Sequence, residues 1–252
     1  MDHAGIVLAA GAGRRMGIPK SLVRTPEGDP WSARAARLLL EGGCSRVVVV
    51  LGARAEEALR LVPTDERVGA LVVAGWEEGL STSLRAGLRW VERLSPAPVT
   101  AVVTLVDLPG LTPEVVRRLT DGADGRSLRQ AAYDGRPGHP VVVGRTHWAA
   151  LGRTLRGDEG GRRYLRAHEA ERVECGGWPT AAMWTRRRTG SRAPRSDGVV
   201  FVIVSGPLLC DDASDSVQPL SRWKPGRDRS SQRFYASETI GPRASATSGG
   251  LG

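Results

Sequence analysis

Short apolar runs alternate along the chain with amphipathic stretches. Residues 5–8, 46–51, 69–73 and 99–106 are continuous apolar runs bounded by turn formers, the pattern of strands buried on both faces. Between them the apolar positions take a helical period. Over residues 31–41, Trp31, Ala35, Leu38 and Leu39 share one face, and Gly42-Gly43 end the helix. Residues 54–62 read as a second helix, and over 81–94 Leu84, Leu88 and Val91 point inward. Thr112, Pro113 and Glu114 open another helix running to residue 119, since Thr suits an N-cap and Pro the first helical position. This alternation predicts an α/β layer fold around a mostly parallel sheet. In such sheets ligands bind past the carboxyl ends of strands, which would bring residues 8–20 and 106–109 to one site.

Beyond residue 119 the pattern loosens. Strands are expected at 129–133 and 140–143 around a turn-rich connection, 134–138, then a short helix at 146–151, a helix entered between 158 and 168, and a short strand at 172–174. Residues 177–252 have another texture, rich in Gly, Ser, Pro, Arg and Asp, and only 199–204 reads as structured. That composition cannot bury a core and predicts a low-order tail behind a single domain over 1–176.

The chain has 252 residues and a formal charge of +9. Residues 1–176 hold 25 basic against 21 acidic side chains, and residues 177–252 hold 11 against 6, so the excess sits in the tail. No basic surface interleaved with aromatics marks a nucleic-acid partner. Cys44, Cys175 and Cys210 are too far apart for a zinc or redox motif. The chain enters a strand almost at once, without a signal peptide, and its longest apolar run is far too short for a bilayer, so a cytoplasmic protein without a membrane partner is expected.

Residues 8–20 read Leu-Ala-Ala-Gly-Ala-Gly-Arg-Arg-Met-Gly-Ile-Pro-Lys. Gly11 and Gly13 let successive main-chain N–H groups converge on an anion. Arg14 and Arg15 add forked donors that match phosphate oxygens, and Lys20 adds a point charge held by Pro19. The spacing excludes a Walker A loop, because Ile18-Pro19 precede the lysine, and a dinucleotide fingerprint, because Arg-Arg-Met-Gly follows the second glycine. A polyphosphate is the ligand this loop fits. Asp107, in Leu-Val-Asp-Leu-Pro at the end of the fourth strand, fits either a holder of Mg2+ or a solvated turn aspartate ahead of Pro109.

The segment 8–20 resembles the signature of the molybdenum cofactor cytidylyltransferases, within the MobA-like NTP transferases. The resemblance covers about residues 5–176. It implies a Rossmann-like nucleotidyltransferase fold with three α/β/α layers, and an enzyme that joins CMP from CTP to the phosphate of molybdopterin and releases pyrophosphate. The form Leu8-Ala9-Ala10-Gly11 is the one linked to CTP, whereas guanine-specific relatives tend to read Leu-Ala-Gly-Gly. The nucleotide would lie on Leu8, Ala9, Ala10, Gly11, Gly13, Arg14, Arg15, Lys20 and Ser83. Arg15, Lys20 and Asp107 would act on the phosphates, with Mg2+ on Asp107. The family usually has Gln where Leu108 stands. Residues 79–87 resemble the family segment whose serines face the nucleotide, although Ser81 and Ser83 also suit a helix cap, and Arg85 fits either a phosphate contact or a solvated helix position. Residues 135–143 resemble the strand beside the acceptor, where His139 would bind it. Asp158 would support the site or merely cap a helix. Molybdoenzymes or a cofactor chaperone are implied as partners. A guanylyltransferase acting on molybdopterin, a uridylyltransferase acting on a sugar phosphate, and a catalytically dead nucleotide-binding product remain alternatives.

After about residue 176 the family continues with Asp-Val-Asp-Thr-Pro-x-Asp, whose aspartate completes the metal site, but no carboxylate occurs here between Glu174 and Asp197. Met183 and Trp184 have single codons, and with Thr185 they read Val-Asp from the third base. The flanking codons permit the remaining residues of the motif. A one-base slip near Gly177 would put residues 178–252 in the wrong frame and leave the enzyme impaired.

Overall fold

The valine runs form the middle of one twisted sheet. The computed structural model describes residues 1–176 and 200–204. In chain order it has β1 (His3–Leu8), α1 (Trp31–Glu41), β2 (Arg46–Leu51), α2 (Ala55–Leu59), β3 (Val68–Val73), α3 (Leu80–Glu92), β4 (Thr100–Leu105) and α4 (Pro113–Thr120). There follow β5 (Leu128–Tyr133), β6 (Arg136–Gly144), α5 (Arg145–Thr154), α6 (Arg162–Ala167), β7 (Glu171–Glu174) and β8 (Val200–Val204). Single 3-10 turns stand at Lys20–Leu22, Trp76–Glu78 and Gly157–Glu159. The strand order is β7-β5-β6-β4-β1-β2-β3-β8. The centre, β4-β1-β2-β3, is parallel throughout, while β6 runs antiparallel to β4 and β5, and β8 antiparallel to β3.

Both faces of the sheet are covered, which is why the strands read as unbroken apolar runs. Along β2, Val47, Val49 and Leu51 join the core under α1 and α4, and Val48 and Val50 join the opposite core with α3, α5 and α6. All five are fully buried. At roughly 1.5–3 kcal/mol for each large aliphatic side chain removed from water, this strand alone is a major contribution to stability. The three-layer α/β/α expectation therefore holds.

Three elements differ from their expected extent. The helix expected at 54–62 is α-helical only over Ala55–Leu59; its end tightens into turns in which Leu61 N–H reaches Ala58 O and Val62 N–H reaches Leu59 O, with Pro63 following. The turn-rich connection at 134–138 shrinks to Asp134-Gly135, both at positive φ, so that Tyr133 pairs directly with Arg136 and β6 starts there. The last helix begins at Arg162 rather than near 158, because Gly160 leaves the helical region. Of the expected low-order tail, β8 is described; the remainder of residues 177–252 lies outside the described residues.

What positions the site is register. Leu8 at the end of β1 lies opposite Leu105 at the end of β4 and opposite Val50 of β2. The loops leaving these parallel strands therefore start side by side.

Candidate active site

The loop after β1 folds back upon itself. Met16 and Gly17 N–H both donate to Gly13 O, and Gly13 sits at φ +61°. A Cβ at Gly13 would fall 1.8 Å from the carbonyl oxygen of Ile18, so only glycine allows the chain to close there. Upstream the backbone is partly committed: Leu8 O accepts from Val106, Ala9 N–H donates to Val50, and Ala10 O accepts from Ala53. The side chains of Leu8, Ala9 and Ala10 are buried. From Ala10 to Arg15 the amides have no acceptor among the described residues. Arg14 and Arg15 are exposed, with no hydrogen-bond or ion-pair partner among those residues. The loop thus presents free N–H groups and two free guanidiniums, while Leu8 can act only by shaping it.

Lys20 follows the buried Pro19 and opens a 3-10 turn anchored by the fully buried Ser21. Its ammonium pairs with Asp107 Oδ2 across 87 residues of sequence. The Asp107 side chain is 2% exposed and that of Lys20 31%. The two charges assigned from the sequence to phosphate and to metal therefore meet directly. Arg34 of α1 braces the turn that carries Asp107, donating to Leu108 O and, at 2.7 Å, to Pro109 O. Leu108 is buried in the α1/α4 core, which accounts for an apolar residue at that position.

The third wall comes from the opposite face of the sheet. Antiparallel pairing of Val103 with Val141 sets His139 beside the carboxyl end of β4. Tyr133 hydroxyl donates to His139 O at 2.8 Å, and burial pushes that phenol up to about 12, so it stays a donor. His139 Nδ1 is buried without a partner. Burial lowers the His139 pKa below its ordinary value, against the pull of the Val103 carbonyl and the Asp107 charge. Ser81 Oγ, in the first turn of α3, is likewise buried and unpartnered, and Ser83 is buried one position past that turn. Orphaned polar atoms are rare in native interiors and point to a missing ligand or water.

Other residues prove structural. Asp158 accepts from Leu80 N–H at 3.3 Å and caps α3. Arg85 donates to Gly152 O and Leu155 O at the end of α5, so it braces a neighbouring helix rather than reaching a phosphate. Arg34, which braces the Asp107 turn, carries no periodic signal in the sequence, whereas Ser81 is legible through the segment 79–87.

Asp107 Oδ1 has no partner among the described residues, and a buried carboxylate at a strand end is a hard oxygen donor that fits Mg2+ or Mn2+. No group of three His, Cys, Asp or Glu side chains forms a metal cluster among the described residues, so such an ion would draw its other ligands from phosphate and water.

Residues 5–173 match the model of the MobA-like NTP transferase domain. A protein of Paenarthrobacter nicotinovorans named nicotine blue oxidoreductase is 34% identical over 169 residues, covering 64% of this chain and 80% of that protein. A probable molybdenum cofactor guanylyltransferase of Opitutus terrae is 36% identical over 110 residues, 43% of this chain and about half (49%) of that protein. Among solved structures, Rv0371c from Mycobacterium tuberculosis H37Rv matches with a TM-score of 0.61 and 25% identity, over 74% of this chain and 94% of that one. Its complex with manganese matches at 0.59 and 24%, over 73% and 94%.

Proposed function

The chain belongs to the MobA-like NTP transferases, a nucleotidyltransferase family, and we propose that it moves CMP from CTP to the phosphate of a molybdopterin-type acceptor, releasing pyrophosphate. The observation that carries this reading is the Lys20–Asp107 pair, which brings the anion loop and the carboxylate at the end of β4 into contact. The amides of residues 10–15 cradle the triphosphate, and Arg14 and Arg15 close over it. On triphosphate entry Lys20 exchanges Asp107 for phosphate oxygens and offsets the charge that grows on the leaving pyrophosphate. Asp107, thus released, would hold a divalent cation, Mg2+ in our reading, which supplies charge neutralisation across the phosphates when bound. Ser81 and Ser83 face the nucleotide, and His139, kept neutral by burial, orients the acceptor. The acceptor phosphate is already ionised, so no general base is needed for its in-line attack.

Ala10 at the third position of the loop supports CTP over GTP. The Opitutus relative's name supports a molybdopterin acceptor, and the manganese complex of the mycobacterial protein is in keeping with a divalent ion. Pyrophosphate release is the test: with molybdopterin present, CTP should be consumed faster than GTP or UTP. Release with GTP alone would move the chain to the guanylyltransferases. The match to the Paenarthrobacter protein favours a second reading, an oxidation–reduction in the same cleft. No pyrophosphate from any nucleotide, together with turnover of nicotine blue that depends on an added two-electron donor or acceptor, would establish that reading instead.

Among the described residues no helix is long and apolar enough to cross a membrane; a cytoplasmic location is part of the same proposal. The family match ends at residue 173, which supports a catalytic domain over 1–176. The shifted-frame reading of residues 178–252 falls almost wholly outside the described residues, and sequencing the gene around Gly177 tests it.

A further inference from the structure

We propose that Trp76 is the wall against which the nucleobase lies, an inference that rests on the nucleotide-binding reading of residues 8–20. Trp76 occupies the 3-10 turn between β3 and α3. It is half-buried, yet it belongs to neither hydrophobic core. The other described tryptophans have settled roles: Trp31 packs against one core, Trp90 belongs to the other, and Trp148 is buried with its indole N–H donating to Val143 O at 2.9 Å.

The root of the side chain packs on bare backbone. A Cβ at Gly52 would come 2.5 Å from Trp76 Cγ, 2.6 Å from Trp76 Cβ and 2.7 Å from the carbonyl oxygen of Ala10. Gly52 follows β2, Ala10 follows β1 and Trp76 follows β3, so three adjacent parallel strands deliver these groups to one edge. The free amides that would hold the phosphates begin at Ala10 itself. A nucleotide seated on them has to leave the loop at one end, and toward Gly52 it meets the Trp76 side chain. Every base has a π-face, so stacking there supplies affinity without choosing the base. The choice must come from polar contacts, such as those of the backbone at Ala9-Ala10.

The test measures calorimetric affinity of the full chain for CTP and for inorganic tripolyphosphate, in wild type, Trp76→Phe, Trp76→Leu and Trp76→Ala. Loss of one base–aromatic stack corresponds to about a 5- to 150-fold rise in Kd. Leu and Ala should weaken CTP by that factor, Phe by less, and tripolyphosphate should bind all four proteins within about twofold. Unchanged CTP affinity in the Leu and Ala variants would overturn the proposal. An equal loss of CTP and tripolyphosphate would also overturn it, because Trp76 would then merely prop the loop through Gly52. If wild type binds tripolyphosphate but no nucleoside triphosphate, the nucleotide reading fails first and takes this one with it. Should the Ala variant not fold, Leu, which keeps an apolar side chain without a plane, decides the outcome.

Discussion

Replacing Lys20 by Met should destabilise the protein at neutral pH and at the same time raise its metal affinity. Lys20→Met leaves the Asp107 carboxylate charged at 2% exposure with nothing opposite it. Removing one member of a fully buried pair costs about 3–5 kcal/mol, and breaking an exposed pair about 0–1 kcal/mol. Here one partner is buried and the other about a third exposed, so a loss of about 2 kcal/mol is expected. For a domain of this size that lowers Tm by roughly 4–8 °C. Asp107→Asn keeps the shape, releases Lys20 to water and should cost under about 1 kcal/mol. The double variant should recover most of the loss, since the unpaired carboxylate is gone. Urea unfolding of the four proteins measures this cycle. Mn2+ titration in the presence of tripolyphosphate, which supplies the remaining ligands, gives the second readout: Lys20→Met should gain Mn2+ affinity over wild type, because Asp107 no longer has to leave an ammonium. A Lys20→Met protein as stable as wild type, with no gain in Mn2+ affinity, would refute the pairing and the metal role of Asp107 together.

Other consequences can be checked separately. CTP with Mg2+ should raise Tm more than GTP does, about 2.7 kcal/mol of stabilisation at a hundredfold excess over Kd; equal shifts with all four nucleotides would remove the base preference. Gly13→Ala forces a Cβ onto Ile18 O at a positive φ, so it should abolish tripolyphosphate binding in calorimetry while the core, far from it, still unfolds cooperatively. His139 and His3 both have pKa values lowered by burial. The unfolded chain therefore takes up protons first as pH falls through about 6.5, and stability should drop below that pH by at most about 1.4 kcal/mol per unit for each histidine. His139→Gln should flatten its share of that slope in urea melts at pH 5 to 7; an unchanged slope would mean that the ring is not buried in solution.

The centre of the fold is legible because both faces of the sheet are covered. Arg46–Leu51 and Trp31–Glu41 can be read to the residue, since a strand buried on two sides and a helix buried on one each leave a period. Beyond β4 the sheet turns antiparallel, and composition misleads: Arg136-Pro137-Gly138 looks like loop but is strand, because Asp134-Gly135 alone suffices for the turn. That the loops bearing Lys20 and Asp107 leave neighbouring strand ends is legible from the strand-end rule, whereas the pairing of the two side chains is not. Arg34, Arg85 and Asp158 act through hydrogen bonds to distant backbone, 74, 67 and 78 residues away, which leave no local pattern. Trp76 is hidden for another reason: its partner is a glycine, defined by what it lacks.

Asp158 and Arg85 are usually the kind of contact passed over as housekeeping, yet they run in opposite directions between the same two segments. Asp158, ahead of α6, holds the first turn of α3, and Arg85 of α3 holds the last carbonyls of α5. Each segment thus finishes the other's helix end, like two hands gripping each other's wrists. The serine-bearing helix and the stretch from α5 to α6 form a single fixed jaw of the cleft. The 9–20 loop opposite is pinned at both ends, by Ala9 and Ala10 to the strand ends and by the Lys20–Asp107 pair, and presents its free amides and guanidiniums between them. A substitution at Asp158 would therefore be felt at α3 and at the segment from α5 to α6 together, as a loosened joint rather than as one lost contact.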